Sequence, residues 1–416
     1  MKDIEERNNM EEWKKIKISD ICNRITSGGT PKSTIAEYYG GNIPWLNTKE
    51  INFNRIFKTE KSITDLGLKS SSAKLITINS VVVAMYGATA GKVAITKIPL
   101  TTNQACCNLS IDSTKADYRY VYYALSNDYS RLASLANGGA QQNLNAQLIK
   151  DFEIIYPSLE KQKRIANILS SLDDKIELNN RINANLEEQA QALFHRWFVD
   201  FEFPNDQGLP YKSNGGAFAY SEFGRIPKTW ISTNLGEVTS RIKDKVNQRK
   251  DVKVLSPINT GELVLSEDYF TKQVYSTDIN KYIIVRPYDF AYNPARVNIG
   301  SLGMNTFNFE GCVSPVYVVF RCEKNYQYFF DFFRKSERFK KEVESRAIGG
   351  VRQNLSYDDF SLIQIVYPTK NVIENFNTIY DKFLNKRKNL NKENKYLKSI
   401  RDNLLPKLMN NEIEIH

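Results

Sequence analysis

Only two histidines occur in the 416 residues, His195 and His416, and the five cysteines (Cys22, Cys106, Cys107, Cys312 and Cys322) include no Cys-x-x-Cys spacing. Zinc sites of the usual kind, and nucleophilic pairs of Ser/His or Cys/His type, therefore lack their ligands and bases. Apolar runs are short as well, none approaching the ~18 residues that a membrane-spanning helix needs. The N-terminal "MKDIEERNNMEEWKK" is highly charged and has no apolar segment of the secretory kind. A cytoplasmic location without a membrane partner is expected.

Three motifs with a chemical look fall short of their chemistry. In "GATAGKV" (Gly87 to Val93) the glycines are one residue too close for a phosphate loop, and Val93 stands where the metal-holding hydroxyl belongs. The spacing predicts instead a strand ending at Tyr86 and a tight loop presenting Thr89 and Lys92. "NPAR" (Asn293 to Arg296) is faintly similar to the Asn-Pro-Pro-aromatic signature of amino-methyltransferases, but it lacks the aromatic, and no Gly-rich cofactor loop precedes it. The paired carboxylates Asp173-Asp174 and Glu187-Glu188 fall on helix faces expected to be solvated, which argues against a hydrolytic pair.

What the chain does have is a repeat. "NGGAQQNL" (Asn137 to Leu144) returns as "IGGVRQNL" (Ile348 to Leu355): Gly139 and Gly350 are 211 positions apart, and the same offset carries Gln142, Asn143, Leu144 and Tyr156-Pro157 onto Gln353, Asn354, Leu355 and Tyr367-Pro368. Upstream the offset drifts, to 212 for "WLNTKE" (Trp45) against "PINTGE" (Pro257) and to 217 for Trp13 against Trp230. A tandem duplication with diverged middles accounts for this, and the length already calls for two domains.

After each Tyr-Pro come about forty residues nearly free of Gly and Pro, rich in Glu, Lys, Asn, Gln, Arg and Leu, which predicts two long helices. Ile165, Leu172, Asn179, Leu186 and Leu193 recur every seven residues, as do Phe376, Phe383, Leu390, Leu397 and Leu404. Such a stripe suits a coiled coil, in which a lone core Asn179 can fix register. Between the tryptophans and these helices, "NSVVVAMYG", "QACCNLSI", "DFEIIYP", "KYIIVRPYDFAY", "SPVYVVFRC" and "SLIQIVYP" read as strands. "DYRYVYYALSN" and "QYFFDFFRKSERFKKEVES" read as helices. The fold class is therefore α+β, with two mixed α/β domains and two long helices.

The composition, 41% hydrophobic and 25% charged with a net charge of +10, is globular and compatible with a polyanionic partner. Polar and basic loops supply side chains that read base edges or hold phosphates. The candidates are Ser27, Thr30, Lys32, Asn47, Lys49, Tyr86, Thr89, Lys92, Asn103, Gln104 and Asn143 in the first half. In the second they are Lys243, Lys245, Arg296, Asn298, Arg352 and Asn354. On the residues alone, a methyltransferase or nuclease with unrecognised motifs, or a coiled-coil scaffold that does not read DNA, remain alternatives. The glycines of the repeated octapeptide point to a tight turn beside each helix, a structural role in preference to a contact with DNA.

Over essentially its whole length the chain resembles the specificity subunits of type I restriction-modification systems. The wording that carries the resemblance is "SGGTPKSTIAEYYGGNIPWLNTKEI", "VVVAMYGATAGKVAI", "LTTNQACCNL" and the stretch from "GGAQQNL" through "SLEKQKRIANILSSLDDKIELNNRINANLEEQAQALFHRWFVDF". The second half departs from it, with "SRIKDK" in place of the SGGTP stretch and "TKNVIENFN" in place of "LEKQKRIAN". The resemblance implies target recognition domains at residues 1–157 and 205–368, each reading one half of a bipartite asymmetric sequence in double-stranded DNA. It implies spacer helices at 158–204 and 369–416, paired antiparallel with pseudo-two-fold symmetry and docking two methyltransferase subunits, through which motor-nuclease subunits join. No catalysis and no cofactor are implied for this chain. S-adenosylmethionine, ATP and Mg²⁺ are expected in the partner subunits.

Overall fold

The computed structural model describes residues 13–136, 143–249, 251–346 and 354–413. They form two compact units, one from the described residues of Met1–Arg181 and Leu390–His416, the other from those of Ile182–Asn389.

The strands of the first unit are β1 (Lys14–Lys17), β2 (Cys22–Ser27), β3 (Tyr39–Leu46), β4 (Asn54–Ile56), β5 (Lys61–Ile63), β6 (Val81–Ala84), β7 (Val93–Thr96), β8 (Thr101–Thr102), β9 (Cys106–Ile111) and β10 (Glu153–Tyr156). They make a five-stranded sheet in the order β2-β9-β6-β7-β4, a three-stranded sheet β5-β3-β8, and an antiparallel β1-β10 pair. Strand β6 is buried along its length because the sheet carries a core on each face. Val81 and Val83 pack with Leu109 and Tyr120, whereas Val82 and Ala84 pack with Leu46 and Leu100. This is why "VVVA" is unbroken where a half-exposed strand would alternate. The strand ends at Ala84, two residues before the expected Tyr86. Helix α1 (Tyr118–Asn127), capped by Asp117, covers one face.

The second unit repeats the plan with β11 (Phe218–Ser221), β12 (Gly224–Pro227), β13 (Ile231–Asn234), β14 (Thr239–Ile242), β15 (Lys253–Pro257), β16 (Leu263–Leu265), β17 (Ile283–Val285), β18 (Phe290–Tyr292), β19 (Leu302–Met304), β20 (Gly311–Val313), β21 (Val318–Cys322) and β22 (Gln364–Tyr367). Its sheets run β14-β21-β18-β19 and β16-β15-β20-β17. The first matches β2-β9-β6-β7 strand for strand. In the second, β15 pairs antiparallel with β16 and parallel with β20, as β3 does with β5 and β8. The terminal pairs keep the same register, Lys14 opposite Tyr156 and Ile231 opposite Tyr367. Helix α3 (Gln327–Phe333) takes the place of α1, and a separate helix Glu337–Arg346 follows it, so the "QYFF…EVES" stretch breaks in two. The hairpin β11-β12 belongs to this unit alone among the described residues.

The two long helices are α2 (Leu159–Phe198) and α4 (Lys370–Met409), whose ends coincide at the 211-residue offset. Pro406, in the last turn of α4, has no N–H to give the Asp402 carbonyl, and the helix ends three residues later at Met409. In the first unit, Ile165 and Leu169 at the start of α2 pack in one core with Leu404, Leu405 and Leu408 at the end of α4. In the second, Phe194, Trp197 and Phe198 at the end of α2 pack with Phe376, Tyr380 and Phe383 near the start of α4. Within each unit the helices therefore run antiparallel. Along the heptad row, Ile165, Asn179, Phe376 and Leu390 are buried, and Leu172, Leu186, Leu193, Phe383, Leu397 and Leu404 are half-buried.

Asn179 is fully buried. Its amide nitrogen donates to Asn394 Oδ1 and to Glu393 Oε2, both at 2.9 Å, and Asn394 Nδ2 donates to Asn180 Oδ1 at 2.9 Å. A shifted register would put these amides against apolar rungs and leave them unpaired. Asn179→Leu is expected to cost about 1–3 kcal/mol, since it strands the Asn394 carbonyl oxygen in the seam. Adding Asn394→Leu should recover stability but admit mixed registers and oligomers. Thermal unfolding and analytical ultracentrifugation check both; a double variant that stays homogeneous removes the register role.

Candidate nucleic-acid interface

In the first unit the "SGGTP" loop lies flush on the turn between β8 and β9. Gly28 N donates to Cys106 O at 3.2 Å, Gly29 N to Thr102 O at 2.8 Å, and Trp45 Nε1 to Gly29 O at 3.0 Å. A Cβ on Gly28 would stand 2.1 Å from Asn103 O, and one on Gly29 2.1 Å from Ala73 N, so both positions exclude side chains. This seating brings Thr30 against Gln104, with which it hydrogen-bonds, and leaves Ser27, Thr30, Lys32 and Gln104 exposed together.

Beside them, Asn47 opens a short turn as a capping box with Glu50, and Asn103 Nδ2 donates to Asn47 Oδ1 at 3.3 Å. Asn103 Oδ1 also accepts from Ala105 N at 3.1 Å. Both asparagines thus hold backbone, with less of each amide left to offer a base. Exposed Lys49 pairs with Glu60 at 2.5 Å, a hydrogen bond that raises the lysine pKa and lowers that of the carboxylate. The turn Thr48–Glu50 packs beside the turn Gly87–Thr89, which carries half-exposed Thr89 and follows exposed Tyr86. Gly87 and Gly91 adopt φ of +73° and +83°, and Lys92 Nζ donates to Asn52 Oδ1 at 2.8 Å. The loop is a turn built on left-handed glycines.

The described end of the repeated octapeptide joins this surface. Leu144 N donates to Met85 O at 3.0 Å, and Leu355 N to Pro294 O at 3.1 Å. Both leucines are fully buried, while Asn143 and Asn354 beside them are exposed. Each half therefore ties its octapeptide to the end of its central strand, β6 or β18. Asn145 and Ser356 then cap the short helices Ala146–Asp151 and Tyr357–Ser361. The motif's glycines, and Arg352, lie outside the described residues.

In the second unit the corresponding turn holds Arg296 and Asn298, both exposed, with Gly300 at φ +93° closing it against Asn259 O. A cavity of about 480 Å³ opens between this turn, the Asn259–Gly261 turn and the helix Glu337–Arg346. Arg334 in its wall is already engaged, donating to Leu302 O at 2.8 Å, Gly261 O at 2.9 Å and Asp331 Oδ1 at 2.9 Å. Exposed Lys243 and Lys245 flank Asp244, whose carboxylate accepts from Arg286 Nη1 at 2.8 Å. Lys32, Lys92, Lys243, Lys245 and Arg296 make no ion pair among the described residues. Among those residues, no group of three or more His, Cys, Asp or Glu side chains could hold a metal ion, and no helix is long and apolar enough to cross a membrane.

Comparison with known proteins matches residues 10–188 to the type I restriction modification DNA specificity domain. The specificity subunit of the type I restriction enzyme MjaIX of Methanocaldococcus jannaschii is 30% identical over 97% of this chain and 94% of its own. The chain belongs to the type I restriction enzyme specificity subunits. The HindI specificity subunit of Haemophilus influenzae is 25% identical over 69% of this chain and 74% of its own. The crystal structure of a type I restriction-modification S subunit from M. genitalium shares the fold at TM-score 0.53 and 19% identity, covering 96% of this chain and 97% of that one.

One charged cluster of this specificity subunit departs from the sequence expectation. Asp173 is not solvated: it accepts from Tyr123 OH at 2.5 Å and Arg401 Nη1 at 2.7 Å, whereas Asp174 is exposed as expected and pairs with Arg55. Glu187 likewise pairs with Arg387, whereas Glu188 is exposed. Burial opposes the charge on Arg55, but Asp174 outweighs it and holds the guanidinium pKa above its ordinary value. Tyr123, Arg55 and Arg401 have no local motif that points to Asp173 and Asp174, which lie 50 to 228 residues away, although Arg401 also pairs with its neighbour Asp402. A basic position at the end of one heptad stripe facing an acidic one at the start of the other is the signal that an antiparallel alignment of the helices would have exposed.

Gly28→Ala is expected to lower stability by about 1–3 kcal/mol through overpacking against Asn103 and Thr102, read as a drop in Tm. An unchanged Tm shows that the SGGTP loop is free to lift from the β8-β9 turn.

Proposed function

We propose that this specificity subunit gives a type I restriction-modification complex its DNA sequence preference, each unit reading one half of a bipartite asymmetric target. The observation that carries this is that two sheets of the same order and pairing present different loops at the same strand ends. After β6 stands "GATAGK", and after β18 "NPARVN"; after β2 stands "SGGTP", and after β14 "KDKVN". One scaffold with two loop sets suits two different half-sequences.

Residues 1–157 and 205–368 are the reading segments in this proposal, and 158–204 and 369–416 the spacer segments. A 40-residue helix measures about 60 Å at 1.5 Å per residue, enough to span the ~34 Å of one DNA turn between half-sites. The helix pair then sets half-site spacing and docks two methyltransferase subunits, with motor-nuclease subunits joining through them. The chain itself carries no catalysis; S-adenosylmethionine, ATP and Mg²⁺ act in the partners. Lys32, Lys92, Lys243, Lys245 and Arg296 contact phosphates. Ser27, Thr30, Gln104, Tyr86, Thr89, Asn143, Asn298, Arg352 and Asn354 face bases or sugars. Asn47, Lys49 and Asn103 act through the turns they hold.

Two outcomes follow. Exchanging the loops within residues 24–104 for those of another specificity subunit changes one half of the methylated sequence and leaves the other intact, as read by mapping methylated bases in cells. If both halves change, modular reading fails. Lys243→Ala weakens binding about equally on all sequences and lowers the slope of log K against log salt by about 1. A sequence-selective loss instead makes Lys243 a base contact.

A further inference from the structure

The two units rest on their helix pairs through joints that differ at matching positions of the long helices. In the first unit the joint is built on a carboxylate. Tyr123, on α1, donates its hydroxyl to Asp173 Oδ2 of α2 at 2.5 Å, while Arg401 of α4 donates to Asp173 Oδ1 at 2.7 Å. Arg55, on β4, joins the next turn by hydrogen-bonding Asp174 and Glu177, the latter at 3.3 Å. Arg119 of α1 adds a bond to Asn167 Oδ1 at 2.8 Å. The reading sheet, its covering helix and both long helices thus meet at one acidic turn of α2. The surrounding contacts are apolar, with Tyr120, Ile165 and Leu169 in one core.

In the second unit the 211-residue offset of the helices places Leu384 where Asp173 stands and Ala190 where Arg401 stands, and Phe332 of α3 packs in the core they share. Here Phe332 stacks on Phe194 at 4.9 Å between centroids and meets Tyr380 edge-on at 5.2 Å, while Ala190 is buried and Leu384 packs against the same core. Neither matching helix position carries a charge here. Apolar packing resists separation but has weak angular preference, whereas a carboxylate held by two donors from different elements fixes direction as well as distance.

We propose that Asp173, held between Tyr123 and Arg401, is a positioning residue that sets the angle of the first reader on the helix pair, and so the strictness with which the complex measures the spacer between half-sites. This rests on the bipartite reading proposed above. Changing the spacer by one base pair moves a half-site by about 3.4 Å and about 35° around the DNA axis, a demand that a directional joint refuses and a loosened one accommodates. Burial, followed by the Asp173 carboxylate, pushes the Tyr123 phenol above its ordinary pKa, which keeps it a donor.

The test uses the full chain assembled with its methyltransferase partner, and duplexes carrying the mapped target with its native spacer or one shortened or lengthened by one base pair. The parental complex should discriminate against the altered spacers by about tenfold or more, comparable to a mismatched base pair. Arg401→Met and Tyr123→Phe should bring the altered spacers to within about threefold of the native one, with the half-sequences unchanged, and Arg401→Lys should restore discrimination. If Arg401→Met does not fold, Tyr123→Phe, which removes one hydroxyl and keeps the ring, decides. Full discrimination in Tyr123→Phe, with or without a lowered Tm, overturns the positioning role and leaves bipartite reading standing. A parental complex without any spacer preference overturns bipartite reading and this inference together.

Discussion

The antiparallel seam between the two 40-residue helices is the constraint on which both units depend, because neither half of the repeat closes its core with its own helix alone. The first unit takes Ile165 and Leu169 from the opening of α2 and Leu404, Leu405 and Leu408 from the close of α4; the second takes Phe194, Trp197 and Phe198 from the close of α2 and Phe376, Tyr380 and Phe383 from α4. The fully buried among them, such as Ile165, Leu169 and Phe376, each gain about 1.5–3 kcal/mol on burial. That gain is available only when segments some two hundred residues apart come together. Pairing in the seam and closing of each core are therefore coupled energetically, and in the first unit the buried Asn179–Asn394 hydrogen bond lies within that seam.

On this frame the duplicated sheets keep their topology while their loops diverge. The reason is visible at Leu144 and Leu355. Each donates its backbone N–H to the end of its central strand, and each buries its side chain completely, so a change at either would open the core. The neighbouring asparagines face outward and carry no such constraint. The same division runs through the SGGTP loop: Gly28 and Gly29 are held by backbone contacts too close for a Cβ, whereas Lys32 three residues on is exposed. Anchoring and display are thus carried by separate residues of each loop.

The joints between sheet and helix show where duplication stopped being symmetrical. Leu384 and Ala190 stand where the first half has Asp173 and Arg401, and Phe332 packs in the core they share. An aromatic cluster and an ion-paired cluster can both hold a sheet on a helix pair, but they differ in how they respond to rotation and to salt, since charge pairs are directional and screened.

Local patterning made the elements legible. Runs of Val, Ile and aromatic residues marked β6, β9, β10, β18, β21 and β22. Forty residues without Gly and almost without Pro marked each long helix, and the 211-residue offset tied the halves together before any contact was known. These features depend on side-chain period and backbone freedom, which neighbouring residues determine. Which polar residues hold the fold and which face outward was not legible, because that depends on partners brought in by the tertiary structure. Asn47 and Asn103 spend hydrogen bonds on each other and on backbone, and Lys49 is drawn to Glu60. Asp173, which by its place on a helix looked solvated, is enclosed by Tyr123 and Arg401 from 50 residues before and 228 residues after it. The sequence by itself determined two like sheets and two matched helices, since period, propensity and repetition are local or internal to the chain. Only the tertiary structure decided the antiparallel packing partners, the carboxylate joint and the aromatic one, since burial and hydrogen bonding are properties of pairs that the chain brings together only on folding.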